Sequence, residues 1–295
     1  MRTLGLVIVL LGAVAGLLGQ ATAPALRVLF LGNSLTEGNN VPALVQAMAA
    51  LQGVRLEFTA VAPGGYALED HWHDNHQTLL WDGHFDVLVL QQGPSTLPES
   101  QINLRVWAKR WADEARRFGT APALYMVWPV RTQANGFDLV AESYRNAALA
   151  AEAAILPAGE TWESVLKSDS SIRLYSSDDL HATPEGSFLA AMVIARGLVA
   201  LDPAKVPAQV GGITLPAGTL ARFRSAVAAI EPRSLADAEV PAGPTPPGPS
   251  VTPVSTPPTG GSGGGGGGAP SGWFLLGLAV AATIRGTRPK LSGPT

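Results

Sequence analysis

The 295-residue chain contains no cysteine and few charged residues, which make up 15% of its composition. The absence of cysteine excludes a disulfide framework, thiolate zinc sites and a cysteine nucleophile. The net charge is −3, and it becomes −7 when the four basic residues of the two ends (Arg2, Arg285, Arg288 and Lys290) are left out. Proteins that bind the phosphate backbone present basic surfaces, so this acidity argues against nucleic acid as a partner.

Charge is absent from the beginning of the chain, where residues 3–26 carry none. A basic second residue is followed by the apolar run Leu4–Leu18 and then by small residues, which is the order found in a secretory signal peptide. We therefore predict a signal peptide over residues 1–21, with cleavage after Ala21. The alternative is an uncleaved membrane anchor. Both interpretations predict an exported protein, located in the periplasm, at the cell surface or outside the cell.

Charge is also absent from residues 240–284. The stretch Pro241–Pro258 contains 8 prolines, and Gly260–Gly268 reads GGSGGGGGG. Proline-rich segments favour extended polyproline geometry and glycine-rich segments form flexible coils, so neither can build a core. We therefore predict a disordered linker over residues 240–272.

The linker is followed by the apolar run Trp273–Ile284 and a basic tail. As a helix this run would span about 18 Å, which is short of the roughly 30 Å hydrocarbon core of a bilayer. A glycine-rich tract, a short apolar helix and a basic tail in this order resemble the GlyGly-CTERM class of bacterial sorting signals. The resemblance implies that residues 273–295 associate transiently with the membrane during export and are cut by a rhomboid-type sorting protease. A retained membrane anchor on a flexible stalk is the alternative.

Residues 26–238 are predicted to form one domain, in which short apolar runs alternate with amphipathic segments. The runs predicted as strands are Arg27–Leu31, Val54–Val61, Asp86–Gln91 and Ala123–Trp128. The segments predicted as helices are Pro42–Leu51, Leu68–Leu80, Pro98–Phe118, Leu139–Ala154 and Pro184–Leu201. Strands that alternate with helices indicate a three-layer α/β/α sandwich around a central parallel sheet of about five strands. Ligands bind such sheets beyond the carboxyl ends of the strands.

Residues that follow the predicted strands include groups suited to acyl transfer. Ser34 follows the first strand, a turn that contains Gly65 follows the second, and Asp178 stands three residues before His181. A histidine can deprotonate a serine, a carboxylate can fix the imidazole tautomer, and backbone N–H groups can bind the developing oxyanion. The adjacent carboxylate, Asp179, is the alternative partner for the histidine.

Four blocks of the sequence resemble the SGNH (GDSL-like) hydrolases: LFLGNSLTEGNN, APGGYALEDHW, DVLVLQQGPS and DDLHATPEGSFLAA, which lie within residues 29–199. The resemblance implies a flavodoxin-like sandwich and a serine esterase that works through an acyl-enzyme, with neither cofactor nor metal. It makes Ser34 the nucleophile, His181 the general base and Asp178 the carboxylate that orients the base. The backbone N–H groups of Ser34 and Gly65 would form two arms of the oxyanion hole.

The third block departs from the family pattern, because Gly-Pro-Ser stands where the family has Gly-x-Asn. Ser95 is therefore the candidate third donor to the oxyanion, and Gln91 or Gln92 could take its place. Asn33, Gln91, Gln92 and His71 are predicted to contact the substrate, a small-molecule or polysaccharide ester. No residue identifies the acyl group or the alcohol of that ester.

Two other interpretations of the sequence bear on its function. The segment His71–His76 contains three histidines, but at helical spacing only His73 and His76 share a face, so a metal site is not favoured. The unusual third block also allows a surface carbohydrate-binding or structural module that has kept the fold and lost turnover. Loss of one oxyanion donor can lower turnover by about 10²–10³-fold.

Overall fold

The computed structural model of the protein describes residues 24–231 and 234–235. The predicted signal peptide (1–21), linker (240–272) and C-terminal segment (273–295) lie outside the described residues, so each of them stays a prediction. In the described part of the chain, no helix combines the length and the apolar character needed to cross a bilayer.

A parallel sheet of five strands forms the centre of the fold. Its strands are β1 (Leu26–Leu31), β2 (Leu56–Val61), β3 (Val87–Leu90), β4 (Ala121–Met126) and β5 (Ala154–Pro157). They lie in the order β2-β1-β3-β4-β5, and each neighbouring pair is parallel. The connection that leaves β1 therefore leads to β2 on one side, and the connection that leaves β3 leads to β4 on the other side. In sheets with this order, the crevice at the carboxyl ends of β1 and β3 is the usual ligand position.

The position of each strand in the sheet accounts for its sequence. Every residue of β3 is buried, and only Arg27 of β1 is exposed. Strands that are covered on both faces are continuous apolar runs, as these two are. β2 lies at an edge of the sheet, and its exposed residues include Glu57 and Thr59. Its sequence therefore mixes polar and apolar residues.

Helices form the two outer layers. They are α1 (Ser34–Glu37), α2 (Val41–Leu51), α3 (Leu68–His73), α4 (Thr78–Gly83), α5 (Pro98–Arg117), α6 (Gly136–Ala151), α7 (Ala158–Ser168), α8 (Pro184–Val199) and α9 (Ala217–Ala228). α2 packs on α8 in one layer, and α5 packs on α6 in the other. A short antiparallel hairpin, β6 (Gln209–Val210) and β7 (Ile213–Thr214), precedes α9. The predicted three-layer α/β/α fold is confirmed.

Two of the predicted helices were wrong in part. The helix predicted over Leu68–Leu80 is divided into α3 and α4, because Asn75 between them adopts a left-handed conformation with φ 59°. The helix predicted to extend to Ala154 ends at Ala151, because Glu152 (φ 50°) turns the chain towards β5. Neither turn contains glycine or proline, so the sequence carried no strong signal for it. The elements α1, β5, α7, α9 and the β6–β7 hairpin were not placed by the sequence analysis.

Candidate active site

The turn after β1 places Ser34 at the crevice between β1 and β3. Asn33 caps α1, because its side-chain oxygen accepts a hydrogen bond from the N–H of Leu35 at 3.1 Å. Ser34 is the first residue of α1, so its own N–H has no partner within the helix. The turn also requires glycine at position 32, where a Cβ would lie 2.6 Å from Oε1 of Gln91.

His181 lies on a loop that is tied to the carboxyl end of β4. The loop is closed at its base by an antiparallel bridge between Tyr175 and Ala182. The indole N–H of Trp128, which follows β4, donates to the carbonyl oxygen of Leu180 at 2.8 Å. Trp128 is fully buried, so this bond fixes the loop to the core beside the crevice.

The structure brings Ser34, His181 and Asp178 into one hydrogen-bonded series. Nε2 of His181 lies 2.9 Å from Oγ of Ser34, although 147 positions separate the two residues. Nδ1 of the same ring lies 2.5 Å from Oδ2 of Asp178. The other carboxylate oxygen, Oδ1, accepts hydrogen bonds from the N–H groups of Leu180 (3.0 Å) and His181 (2.9 Å) and from the hydroxyl of Ser176 (2.7 Å).

These hydrogen bonds favour the ionised form of Asp178. Partial burial by itself would raise the pKa of the Asp178 carboxyl, but the hydrogen bonds from His181, the N–H of Leu180 and the hydroxyl of Ser176 outweigh it and hold the pKa well below its usual range. Asp178 is therefore ionised at neutral pH. An ionised carboxylate at Nδ1 keeps the ring proton on that atom and leaves Nε2 free to accept a proton from Ser34.

Asp179, the alternative carboxylate, is directed elsewhere. Its side chain is buried and forms an ion pair with Arg131. The backbone N–H of Arg131 also donates to the carbonyl oxygen of Asp179 at 2.9 Å. Asp179 therefore anchors the loop to the chain after β4, while Asp178 contacts the imidazole of His181.

Among the described residues, a backbone N–H group without a partner lies in each of the turns after β1 and β2. Within residues 24–231, the N–H groups of Ser34 and Gly65 have no hydrogen-bond acceptor. Gly65 has φ 80°, a left-handed conformation that favours glycine. The turn that contains Gly65 is tied to the first turn, because the side-chain amide of Asn33 donates to the carbonyl oxygen of Tyr66 at 2.9 Å. Unpaired donors on adjacent turns are what stabilisation of a tetrahedral intermediate requires.

Ser95 is held within its own turn. Its hydroxyl donates to the carbonyl oxygen of Gly93 at 3.1 Å and accepts a hydrogen bond from the side-chain amide of Gln92 at 3.1 Å. The hydroxyl proton is thus already engaged. In this arrangement Ser95 does not offer a free third donor.

The four residues predicted to contact substrate lie below the surface of the crevice. Asn33, Gln91, Gln92 and His71 are each at most 3% exposed, and their polar atoms bond to the protein. The expected contact with substrate is therefore corrected to a structural role. Asn33, Gln91 and Gln92 were expected at the surface because they follow strands, and His71 because it lies near the start of a helix, but all four are buried.

His71 and His76 form a pair that contacts the turn between β1 and α1. Nε2 of His71 donates to the carbonyl oxygen of Gly32 at 2.8 Å, so its Nδ1 must accept, and the Nδ1–H of His76 lies 2.9 Å away. The helical spacing that predicted a shared face for His73 and His76 was wrong, because the chain leaves the helix after His73. Burial lowers the pKa of His71 to about 4, while its bond to Gly32 opposes that change.

The buried His71 predicts acid-sensitive stability. Its pKa is about 4 in the folded state, against an ordinary histidine value of 6.5, so the unfolded chain binds more protons between these values, and stability falls as the pH falls from 6.5 to 4. The contribution is about 3 kcal/mol. We expect His71→Gln, which retains a donor for Gly32, to lose less unfolding free energy than the wild type between pH 7 and pH 4 in urea titrations. His73→Gln, at an exposed position of the same helix, is the control, and equal losses in both variants would contradict the assignment.

Asn39 is a site residue that the sequence reasoning missed. Its side-chain amide donates to the carbonyl oxygen of Ala182, next to His181, at 3.3 Å and to the hydroxyl of Ser187 at 2.9 Å. It thereby links the segment after Ser34 to the histidine loop. The block GNSLTEGNN contained the residue, but only its contacts over 143 and 148 positions reveal the role.

Comparison with known proteins agrees with the fold. A proposed SGNH hydrolase from Slackia heliotrinireducens is 27% identical, over 58% of this chain and 98% of that chain, with a TM-score of 0.51. A DUF4886 family protein from Bacteroides uniformis is 16% identical, over 69% of this chain and 93% of that chain, with a TM-score of 0.59. No family model matches the chain, and no curated protein sequence matches it.

The chain therefore has the three-layer fold of the SGNH hydrolases. Its likeness to the Slackia protein supports a hydrolase of this fold.

Proposed function

We propose that this protein is an exported serine esterase, which cleaves carboxylic esters through an acyl-enzyme intermediate. The hydrogen-bonded series from Ser34 through His181 to Asp178 is the observation that supports the proposal most strongly. A serine hydroxyl is a poor nucleophile near neutral pH unless a base takes its proton during the attack. The series supplies that base in the correct tautomer.

In the first half of the reaction, Oγ of Ser34 attacks the carbonyl carbon of the ester, and Nε2 of His181 takes the hydroxyl proton. The carbonyl oxygen becomes an oxyanion, which the N–H groups of Ser34 and Gly65 bind. Collapse of this intermediate breaks the ester bond, and the leaving alkoxide takes the proton from Nε2. The alcohol departs and the acyl group stays on Ser34.

In the second half, water replaces the alcohol. Nε2 of His181 takes a proton from the water as its oxygen attacks the acyl carbon, and a second oxyanion forms in the same place. Collapse releases the carboxylic acid and returns the proton to Oγ of Ser34. Asp178 stays ionised throughout and stabilises the imidazolium that forms in each half.

The ends of the chain support export. Residues 1–21 have the order of a secretory signal peptide, and residues 273–295 resemble a sorting signal that a rhomboid-type protease removes. The proline- and glycine-rich linker between domain and tail would serve as a tether before cleavage. Esters of small molecules or of surface polysaccharides are the substrates within reach of such a protein.

One mass measurement tests the nucleophile and the processing together. Protein recovered from the producing cells should lack residues 1–21 and the apolar tail. Treatment with a fluorophosphonate should add one phosphonyl group to the peptide that contains Ser34, with release of fluoride. Ser95→Ala should be labelled in the same way, whereas Ser34→Ala should not.

Each outcome of this measurement decides a separate part of the proposal. A folded protein that takes up no phosphonyl group, or takes it up at another residue, would overturn the esterase. Retention of both ends would overturn processing and leave a simple membrane anchor. A panel of acetylated sugars and longer-chain esters then assigns the substrate of an active enzyme.

One observation favours a second candidate function. The proton of the Ser95 hydroxyl is engaged by Gly93, so the described site has two oxyanion donors rather than three. A surface carbohydrate-binding or structural module would tolerate that loss. Hydrolysis of p-nitrophenyl acetate at equal rates by the wild type and Ser34→Ala, together with binding of polysaccharide, would favour this module.

A further inference from the structure

Gln91 occupies the position where the two strands that border the crevice end. It directly follows β3, and its N–H donates to the carbonyl oxygen of Leu31, the last residue of β1, at 2.9 Å. The residue is 1% exposed, so it contacts the protein rather than a ligand. The proposed mechanism assigns it no role.

The side-chain amide of Gln91 makes four hydrogen bonds. Its oxygen accepts from the N–H of Asn33 at 2.9 Å and from the hydroxyl of Thr36 at 2.6 Å. Its nitrogen donates to the side-chain oxygen of Asn33 at 3.0 Å and to the carbonyl oxygen of Gln92 at 2.6 Å. A primary amide has two donor hydrogens and two acceptor sites, so its full capacity is used.

The hydrogen bonds continue from Gln91 through Asn33 to the turn that contains Gly65. The oxygen of the Asn33 side chain accepts from Leu35 in α1, and its nitrogen donates to the carbonyl oxygen of Tyr66. Two side-chain amides thus connect the end of β3 with the turn of Ser34 and the turn of Gly65. These turns carry the two N–H groups that bind the oxyanion in the proposed mechanism.

We propose that Gln91 is a positioning residue, which sets the separation between the N–H groups of Ser34 and Gly65 by holding Asn33. The proposal rests on the proposed esterase function for its kinetic consequence, but its geometric consequence is independent of activity. Glutamine is required because methionine lacks both polar groups and an ionised glutamate lacks the two donors. Asparagine is shorter by one methylene and cannot span the same distance.

The expected consequence is a change in turnover rather than in substrate binding. Oxyanion donors act only when they lie about 2.7–3.1 Å from the oxygen of the transition state. A displacement of about 1 Å in an active site can lower the rate about 100-fold. The ground-state ester depends much less on these donors, so KM should change little.

The first test compares Gln91→Met with Gln52→Met. Gln52 also donates a side-chain hydrogen bond, to the carbonyl oxygen of Ala200 at 3.1 Å. It precedes β2 and so lies near the amino ends of the strands, opposite the crevice. We expect Gln91→Met to lower kcat for p-nitrophenyl acetate about 100-fold with KM within about threefold of the wild type. Gln52→Met should retain the kcat of the wild type. Unchanged kcat in folded Gln91→Met, or equal losses in both variants, would overturn the proposal.

Gln91→Glu adds a pH signature that a loss of stability would not produce. A protonated carboxyl can donate one hydrogen bond to Asn33, whereas the ionised form can donate none and repels the side-chain oxygen of Asn33. The ratio of kcat in Gln91→Glu to kcat in the wild type should therefore rise as the pH is lowered. A ratio that does not depend on pH would count against the proposal. If Gln91→Met does not fold, Gln91→Glu still tests the proposal.

Backbone amide hydrogen exchange separates this proposal from the proposed function. In Gln91→Met, exchange at Ser34, Gly65 and Asn33 should change together, and in Gln52→Met it should match the wild type at these three positions. If the wild type hydrolyses no ester, the esterase fails, but this measurement still decides whether Gln91 holds the two turns. Unchanged exchange at all three positions in Gln91→Met would overturn the positioning role.

Discussion

Replacing Ser34 or His181 with alanine is expected to lower kcat for a small ester by on the order of 10⁴-fold or more, and replacing both is expected to lower it little further. The physical reason is that the serine and the imidazole act as one unit. Without the base the hydroxyl is not activated, and without the hydroxyl the base has no proton to take. These losses of kcat are measured by steady-state hydrolysis of p-nitrophenyl acetate with the wild type, the two single variants and the double variant.

Matched controls exclude an indirect effect of the substitutions. Ser225→Ala and His73→Ala change the same residue types at exposed positions of α9 and α3 and should retain the activity of the wild type. If the losses in the single variants instead add in the double variant, Ser34 and His181 do not act on the same proton. The proposed mechanism would then be wrong even if the protein hydrolyses esters.

Asp178→Asn is expected to lower kcat by roughly 10³–10⁴-fold while the fold is retained. Oδ1 of Asp178 accepts hydrogen bonds from the N–H groups of Leu180 and His181, so an asparagine would keep its oxygen there. Its NH₂ group would then face Nδ1 of His181. Nδ1 would have to accept, the ring proton would move to Nε2, and Nε2 could no longer take the proton of Ser34.

Asp179→Asn is the matched control, at the adjacent position. This substitution removes the ion pair with Arg131, so we expect a lower urea midpoint of unfolding and a kcat within about tenfold of the wild type. The two variants should therefore separate activity from stability. A larger loss of activity in Asp179→Asn than in Asp178→Asn would show that Asp179, and not Asp178, orients the imidazole of His181.

Local sequence was sufficient for most of the sheet and for the larger helices. β1 and β3 are short, continuous apolar runs because they are buried on both faces, and this composition identifies them without a structure. α5 begins with Pro98 in its first turn, and Gly119 follows shortly after its last residue, so its predicted and observed bounds agree closely. Such signals lie within a few residues of the feature that they specify.

The elements that were mispredicted depend on contacts from elsewhere in the chain. Asn75 ends a predicted helix by adopting φ 59°, and the His71–His76 pair that results was not foreseen from helical spacing. β5 is short and mixed in burial because it lies at the edge of the sheet, so the residues before it read as a continuation of α6. No local pattern distinguishes these cases from a longer helix.

The sequence by itself determined the fold class and the set of residue types that acyl transfer needs, because periodicity and short motifs are local properties of the chain. Only the tertiary structure decided how those residues meet: Ser34 and His181 are 147 positions apart, and Asp178 rather than Asp179 contacts the ring. It also decided that Gln91 lies below the site instead of in it. Burial and the pairing of a buried amide depend on what the rest of the chain places around it, and no local pattern contains that information.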